Sequence, residues 1–562
     1  MRKRCIKAIA VAAAAMMAMV SMTGCSSSAS AKTSAKAVSS EAKEVETEVS
    51  TETTEAAESS EVTEESNMDA EAEKSAKEAE EAEASAASAA EKADIQAAAG
   101  TIVVDGYEWG PGVDKVVFEL PEEAESADAA NAVINTNHVE REVSEVYLSD
   151  EKGNKAEGPS RYLTAVLKTS YENSGSPFVY DFKVTMMNDW AETYPVIGVL
   201  SASVGGEVKT VGINQDLINS RIAPEAELFA DRDSFSGKYK NPMTGEEEEI
   251  TLQRGAYEPG SLAEDGVKNP LLIWLHGQGE GGTDIEISLL GNEVTALARD
   301  EIQSQFTTEG GADGAYVLAV QTPTYWMDGG DGTNSSGDLI SRYTEALMDT
   351  IDDYVKNHPD VDANRIYLSG CSNGGYMTVN MAIQYPDYWA AIAPNCEAYA
   401  YNVYERDADG KYVSKSVGNA MGGAVVNVPT DEKWMTDEKI EKLAKIPSWF
   451  LASADDSIVN PLQFELPTYQ ALLKAGAKNT WFSYFENIQG KDSPEATYMG
   501  HWVWAKYFNN EVTKVQDPTA IKDASDENFG FTPSNDGGGS MQASDENCTY
   551  NTIFEWMNAQ SK

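Results

Sequence analysis

Histidine is scarce in this chain, with 4 in 562 residues. Any chemistry that needs an imidazole must draw on His138, His276, His358 or His501. Basic residues are also few, 42 Lys and Arg against 92 Asp and Glu, which leaves a net charge of −50. A surface of that sign repels phosphate backbones, so nucleic acid is excluded as a partner. Cysteine is rare too, at 5. Cys5 and Cys25 fall in the leader, and Cys371, Cys396 and Cys548 remain. An odd number excludes a disulfide scaffold and allows at most one bridge; buried free thiols are expected at Cys371 and Cys396. Past the leader no run of about eighteen apolar residues occurs, which argues against a membrane-spanning helix.

The leader itself reads as an export signal. Arg2, Lys3, Arg4 and Lys7 precede the apolar stretch Ala8 to Val20. Met22-Thr23-Gly24-Cys25 then resembles a bacterial lipobox, in which Cys25 is lipidated and becomes the first mature residue. An ordinary secretory signal is the alternative. The expectation is an exported, extracellular protein held to the cell membrane by a lipid anchor only. Residues 26–99 are low-complexity Ser, Ala, Glu and Lys with almost no aromatic or branched apolar residues. Such a segment cannot bury a core and reads as an acidic linker, with Ala-rich pieces able to form transient helix.

From Gly100 the composition changes. Short β-branched or aromatic runs recur: Thr101 to Val104, Lys115 to Phe118, Val143 to Leu148, Tyr162 to Leu167, Phe178 to Thr185 and Tyr194 to Leu200. Gly, Asn, Asp and Ser clusters separate them, which predicts an immunoglobulin-like β-sandwich over 100–228. A hairpin over Asp233 to Gly260, turning at Asn241 to Gly245, then leads into a second domain, 229–562. There, strands alternate with helices, the signature of a doubly wound, mostly parallel α/β sheet. Strands are expected at Leu271 to His276, Tyr316 to Val320, Ile366 to Leu368, Ala390 to Ala393, Trp449 to Ser453 and Trp481 to Phe485. Helices are expected at Asp284 to Ala298, Asp338 to Lys356, Thr436 to Ala444 and Leu462 to Leu473. Two insertions, Tyr399 to Trp434 and Asp517 to Cys548, break the rhythm, and an amphipathic helix closes the chain.

The second domain is organised around Gly370-Cys371-Ser372-Asn373-Gly374. An apolar strand precedes this G-x-S-x-G match and a helical pattern follows it, which is the setting of a nucleophile elbow. The motif alone is weak, because Gly and Ser are common; its partners decide. A serine hydroxyl needs a base. Hydrolases of this kind run Ser, acid, His along the chain, and His501 is the one histidine in that order. The acid belongs just past the strand Trp449 to Ser453, where Asp455 and Asp456 compete; Asp456 is favoured as the residue that fixes the His501 tautomer. The oxyanion donors expected are the N–H groups of Asn373 and of Gln278, with Gly277 next, on the glycine-rich loop Leu275 to Gly282. Glu280 and Asp284 are expected to brace that loop. Tyr325, Trp326, Trp502 and Trp504 are expected to line the cleft. No metal and no cofactor is called for.

Leu-His-Gly-Gln-Gly-Glu-Gly-Gly, Gly-Cys-Ser-Asn-Gly-Gly-Tyr-Met-Thr and Gly-His-Trp-Val-Trp together resemble the α/β-hydrolase esterases of the polyhydroxybutyrate-depolymerase-like and feruloyl-esterase-like group. That group also holds sequences described as peptidases. The preceding sandwich is similar to that of esterases with an N-terminal immunoglobulin-like domain. The resemblance implies Ser372, Asp456 and His501 as a triad, with Gln278 and Asn373 as oxyanion donors. It points to a serine carboxylesterase acting on small-molecule or polysaccharide-linked esters, with a serine peptidase and a glycan-binding surface protein as the alternatives. Two departures stand out: the stretch before Asp456 lacks the His-Gly often found there, and the insert Asp517 to Cys548 is unusual.

Overall fold

A computed structural model describes residues 81–259, 267–306, 314–334, 340–417, 424–546 and 548–562. The export signal, the lipobox with Cys25 and the linker up to residue 80 lie outside the described residues.

The first domain is a sandwich of two five-stranded sheets. In one, Ala99–Tyr107, Gly110–Ala124, Ser160–Leu167 and Val143–Ser149 lie side by side; in the other, Glu207–Asp216, Pro195–Val204 and Ser126–Thr136 do. Alternation sends Val116 and Phe118 from one sheet, and Leu200 and Ile213 from the other, into a shared apolar interior. Two of these strands go beyond the sequence expectation. Glu207–Asp216 follows a two-residue turn, Gly205-Gly206, in which both residues have positive φ, 64° and 80°. That is the hairpin turn that glycine pairs favour, and the signal was in the sequence. Ser126–Thr136 has poor strand propensity, and its register is imposed by antiparallel pairing with Pro195–Val204.

The linker also ends sooner than residue 99. Residues 81–91 are helical, and Ala86 and Ala90 are buried against Ile197. Ile95–Gln96 then pairs in parallel with Val211 and Gly212. Small side chains let this helix lie close to the sheet: a Cβ at Gly212 would sit 2.3 Å from the Ala90 carbonyl oxygen.

The second domain is a mixed, mostly parallel eight-stranded sheet. We number its strands β1 (Asp231–Lys240), β2 (Glu247–Tyr257), β3 (Asn269–Leu275), β4 (Tyr316–Gln321), β5 (Val361–Cys371), β6 (Ala391–Asn395), β7 (Ser448–Ser453) and β8 (Thr480–Phe485). Their order is β1-β2-β4-β3-β5-β6-β7-β8. The β1–β2 hairpin pairs antiparallel, as does β2 with β4, and all other pairs are parallel. This is the α/β-hydrolase arrangement expected. Every residue of β3 is buried because both faces are covered. Leu271, Ile273 and Leu275 join the apolar cluster on one face. Leu272 and Trp274 join the other cluster, which runs on without a break into the sandwich interior.

Helices α1 (Ile285–Gly291), α2 (Thr344–Asn357), α3 (Asn373–Gln384), α4 (Asp437–Leu443), α5 (Glu465–Ala475) and α6 (Ile553–Asn558) flank the sheet. Thr436 caps α4 by accepting from the Lys439 N–H. The single helix expected over Asp284 to Ala298 is broken. After α1 the chain turns at Glu293, φ 62°, into a 3₁₀ stretch Val294–Ala298. The break places the Asn292 amide oxygen 3.4 Å from the Gly277 N–H, so a local irregularity serves the glycine-rich loop. The insert from Tyr399 folds into two small ribbons, Asn402–Tyr404 with Pro429–Lys433 and Ser414–Val417 with Ala424–Asn427.

Candidate active site

β5 runs straight into α3, and Ser372 is the hinge between them. Its backbone sits at φ 55°, ψ −113°, outside the regions that side-chain-bearing residues favour. Such a conformation costs about 1–3 kcal/mol and persists only where the surroundings enforce it. Here they do. A Cβ at Gly374 would lie 2.0 Å from the Leu275 carbonyl oxygen, and one at Gly370 would lie 2.7 Å from the same oxygen. The Ser372 N–H is held by the Asn395 carbonyl at 2.9 Å. The turn leaves Ser372 partly exposed while Cys371 and Asn373 on either side are buried.

The structure brings His501 and Asp456 together. The imidazole Nδ1 lies 2.8 Å from Asp456 Oδ2, with both residues buried. The other carboxylate oxygen, Oδ1, accepts from the N–H groups of Ile458 and Val459 at 2.8 and 2.9 Å. The carboxylate is thus fixed by the turn that follows β7 and accepts at both oxygens. Asp455 is placed differently. It accepts from the Ser453 hydroxyl and lies under Gly500, where a Cβ would sit 2.1 Å from its Oδ1. Burial pushes its carboxyl above the ordinary range. Of the two aspartates, Asp456 is the one that meets the imidazole.

Cys396 completes this corner. Its Sγ, the Asp456 carboxylate and a His501 ring nitrogen all lie within 4.8 Å of one another. Cys396 directly follows Asn395, whose carbonyl holds the Ser372 N–H, so the imidazole stands beside the elbow. Among the described residues no hydrogen bond joins the Ser372 hydroxyl to His501. Such contacts commonly tighten only when substrate arrives.

The glycine-rich loop continues from the end of β3 and passes beside the elbow, where a Cβ at Gly374 would lie 2.5 Å from the His276 carbonyl oxygen. His276 anchors its start. The ring is wholly buried, Nδ1 is 2.6 Å from the Gly277 carbonyl, and Nε2 accepts from the Thr322 N–H at 3.2 Å. Burial pushes its pKa down to about 4, so it is a neutral brace. Gln278 and Asn373, expected from the sequence to supply donors, are linked through a residue the sequence did not single out. The Asn334 amide donates to Gln278 Oε1 at 2.7 Å and accepts from Asn373 Nδ2 at 2.9 Å. With their side chains so occupied, the two residues keep their backbone N–H groups without a protein acceptor among the described residues. Unpaired N–H groups beside an elbow are the kind of donor a developing oxyanion would need.

Glu280 braces the loop as expected, whereas Asp284 serves the helix that follows it. Asp284 caps α1 and accepts from Trp190 Nε1 at 2.9 Å. Glu280 is buried beneath the loop, and burial pushes its carboxyl up to about 7. Its Oε1 accepts from Asn188 of the sandwich at 3.4 Å.

The aromatic cleft needs correction. Trp326 is fully buried, packed between His276 and Tyr343, and belongs to the core beneath the cleft instead of its wall. Tyr325 is nearly buried, with its hydroxyl bonded to the Thr185 carbonyl at the seam with the sandwich. Trp504 is buried with its ring edge-on to His501, centroids 5.6 Å apart. Trp502 alone of the four is partly exposed, packed edge-on or tilted against Tyr171, Tyr498 and Trp504. The thiols of Cys371 and Cys396 are free and buried, and Cys548 is free and exposed.

Comparison with known proteins agrees with this architecture. Residues 99–210 match the family model of the esterase Ig-like N-terminal domain. Residues 341–418, from the approach to α2 through the elbow and beyond β6, match the prolyl oligopeptidase family. Over 69 residues the chain is 36% identical to poly(3-hydroxyalkanoate) depolymerase C of Paucimonas lemoignei, which is 12% of this chain and 15% of that protein. The match thus spans less than a sixth of that relative's length. A crystal structure of a thermostable esterase superimposes with a TM-score of 0.52 at 19% identity, covering 74% of this chain and 96% of that one. That likeness is one of fold.

Proposed function

We propose that the chain is a serine carboxylesterase of the α/β-hydrolase kind that carries an immunoglobulin-like N-terminal domain, a reading supported by the match of residues 99–210 to the esterase Ig-like domain and by the likeness in fold to a thermostable esterase. Ser372 Oγ attacks the ester carbonyl, and His501 takes its proton through Nε2, since Nδ1 faces Asp456. The Gln278 and Asn373 N–H groups hold the oxyanion. The imidazolium, stabilised by Asp456, then protonates the leaving alkoxide. Water repeats the sequence on the acyl-enzyme and releases the acid. The observation that carries this reading is the strained Ser372 backbone next to a buried His501–Asp456 pair.

The substrates proposed are carboxylic esters with an apolar acyl or aryl group, including acyl or feruloyl esters on plant polysaccharide. A panel of nitrophenyl, acetyl-sugar and feruloyl-sugar esters tests this. Turnover that survives Ser372→Ala at the wild-type rate sinks the mechanism. The prolyl oligopeptidase match over the elbow favours one second reading, a peptidase with the same residues. Cleavage of chromogenic peptides with no ester turnover would select it.

We propose further that the protein is exported and lipid-anchored through Cys25, on the strength of the leader and its lipobox. Cys25→Ser should then move the protein from the membrane fraction to the medium. Continued membrane retention would refute the anchor.

A further inference from the structure

The segment that carries His501 has little regular structure of its own. Between β8 and Phe508 it forms only the short ribbon Ile488–Gln489 with Thr497–Tyr498, a 3₁₀ turn at Gly500–Trp502 and the five-residue helix Trp504–Phe508. Holding so irregular a connection in one place costs backbone entropy. Several of the hydrogen bonds that hold it come from the sandwich.

Glu108 sits at the tip of the hairpin joining Ala99–Tyr107 to Gly110–Ala124, and it is 1% exposed. Its carboxylate accepts from the Lys491 N–H at 2.9 and 3.0 Å, the Asp492 N–H at 3.0 Å and the Tyr498 hydroxyl at 2.8 Å. It also accepts from the Asn509 side-chain amide. These donors lie on both sides of His501, and none is a cationic side chain. Lys491 takes part through its backbone, while its ammonium reaches Glu301 at 3.2 Å. The reverse contact, Glu108 N–H to Asp492 Oδ2 at 3.4 Å, closes the same junction. Beside it the Tyr171 N–H donates to Ser493 Oγ at 2.9 Å, and the Tyr171 ring packs on Tyr498 and Trp502.

A buried carboxylate is a poor way to gain stability, because its desolvation offsets what its hydrogen bonds return. What it does supply is direction, since four donors must converge on one point. We propose that Glu108 is a positioning residue of the active site, a carboxylate lent by the sandwich that fixes the loop presenting His501 to Ser372. The proposal rests on the reading of His501 as the base.

The test uses the full-length mature protein with Glu108→Gln, Tyr498→Phe and the double variant. Glutamine keeps the shape but turns an amide group toward N–H donors, which loses their acceptor. With nitrophenyl acetate, Glu108→Gln should lower kcat about 100-fold while KM stays within about twofold, the scale of a misplaced catalytic group. Tyr498→Phe should give a smaller loss of the same kind, and the double variant should be no slower than Glu108→Gln alone. The far-downfield proton resonance of the His501 Nδ1–H should broaden or vanish in Glu108→Gln.

A lower melting temperature with unchanged kcat at 25 °C would overturn the proposal, leaving Glu108 a merely structural group. A raised KM at constant kcat would also overturn it. Should Glu108→Gln fail to fold, Tyr498→Phe decides alone, and wild-type kcat there counts against the proposal. If the wild-type protein turns over no ester, the esterase reading has failed by itself. The imidazole resonance then still decides: lost in Glu108→Gln it supports the clamp, retained it refutes it.

Discussion

Asp456→Asn isolates the step on which the chemistry depends. Asp456 Oδ1 is pinned by the N–H groups of Ile458 and Val459. The asparagine carbonyl must take that place, because an amide nitrogen there would face two donors. Its NH₂ group is then forced toward His501 Nδ1, across the 2.8 Å that the carboxylate now spans. A donor at that position demands a lone pair on Nδ1 and moves the ring proton to Nε2. The nitrogen that should accept from Ser372 becomes a donor. The resulting loss in kcat is about 10,000-fold, or roughly 5 kcal/mol of transition-state stabilisation. The fold should barely notice, because volume and both backbone contacts are kept, and stability should stay within about 1 kcal/mol. Initial rates on a nitrophenyl ester, with a thermal melt on the same samples, make the measurement. The reasoning fails if a well-folded Asp456→Asn loses less than about tenfold. It also fails if Asp455→Asn, whose carboxylate does not touch His501, proves the more damaging change.

Two further predictions follow from the glycine-rich loop. Glu280 keeps its proton in the folded protein up to about pH 7, whereas an unfolded glutamate ionises near 4.5. Between those values the folded state binds the extra proton, so this group lowers stability as pH rises. Glu280→Gln should therefore gain on the wild type by about 3 kcal/mol between pH 4.5 and 7.5, read from urea melts; a gap that does not change with pH contradicts this. Asn334 is exposed and ties Gln278 to Asn373. Asn334→Ala should leave the melting temperature nearly unchanged but lower kcat about tenfold, a fraction of what losing a direct oxyanion donor costs. An unaltered kcat would show that the bridge is idle.

Much of this site could be read in the sequence because its parts are local. The elbow is a contiguous motif, and its glycines answer to clashes with the end of β3 that any such turn must avoid. The histidine that meets the carboxylate followed from elimination among four. Its aspartate partner followed from its place after β7, where Asp456 was favoured over Asp455, and Asp456 is the one 2.8 Å from the ring. What stayed hidden depends on contacts between distant segments. Asn334 lies 56 residues from Gln278 and 39 from Asn373 in the chain, in a loop with no pattern to mark it. Glu108 is one glutamate in a strongly acidic chain, and nothing local distinguishes a buried one. Trp326 was misplaced for the opposite reason: an aromatic next to a loop suggests a wall, yet its neighbours enclose it completely. The early end of the linker was missed because an alanine-rich helix carries no apolar stripe. It packs because its side chains are small, not because they are greasy.

The backbone at Ser372 carries a lasting evolutionary tension. On the proposed mechanism the molecule spends conformational energy at a position whose side chain it cannot give up, and glycine would sit there comfortably. A population of variants sorted only for heat resistance would drift toward glycine at 372 and lose the proposed nucleophile. On that mechanism, selection for turnover would be what keeps a serine in a place suited to a smaller residue.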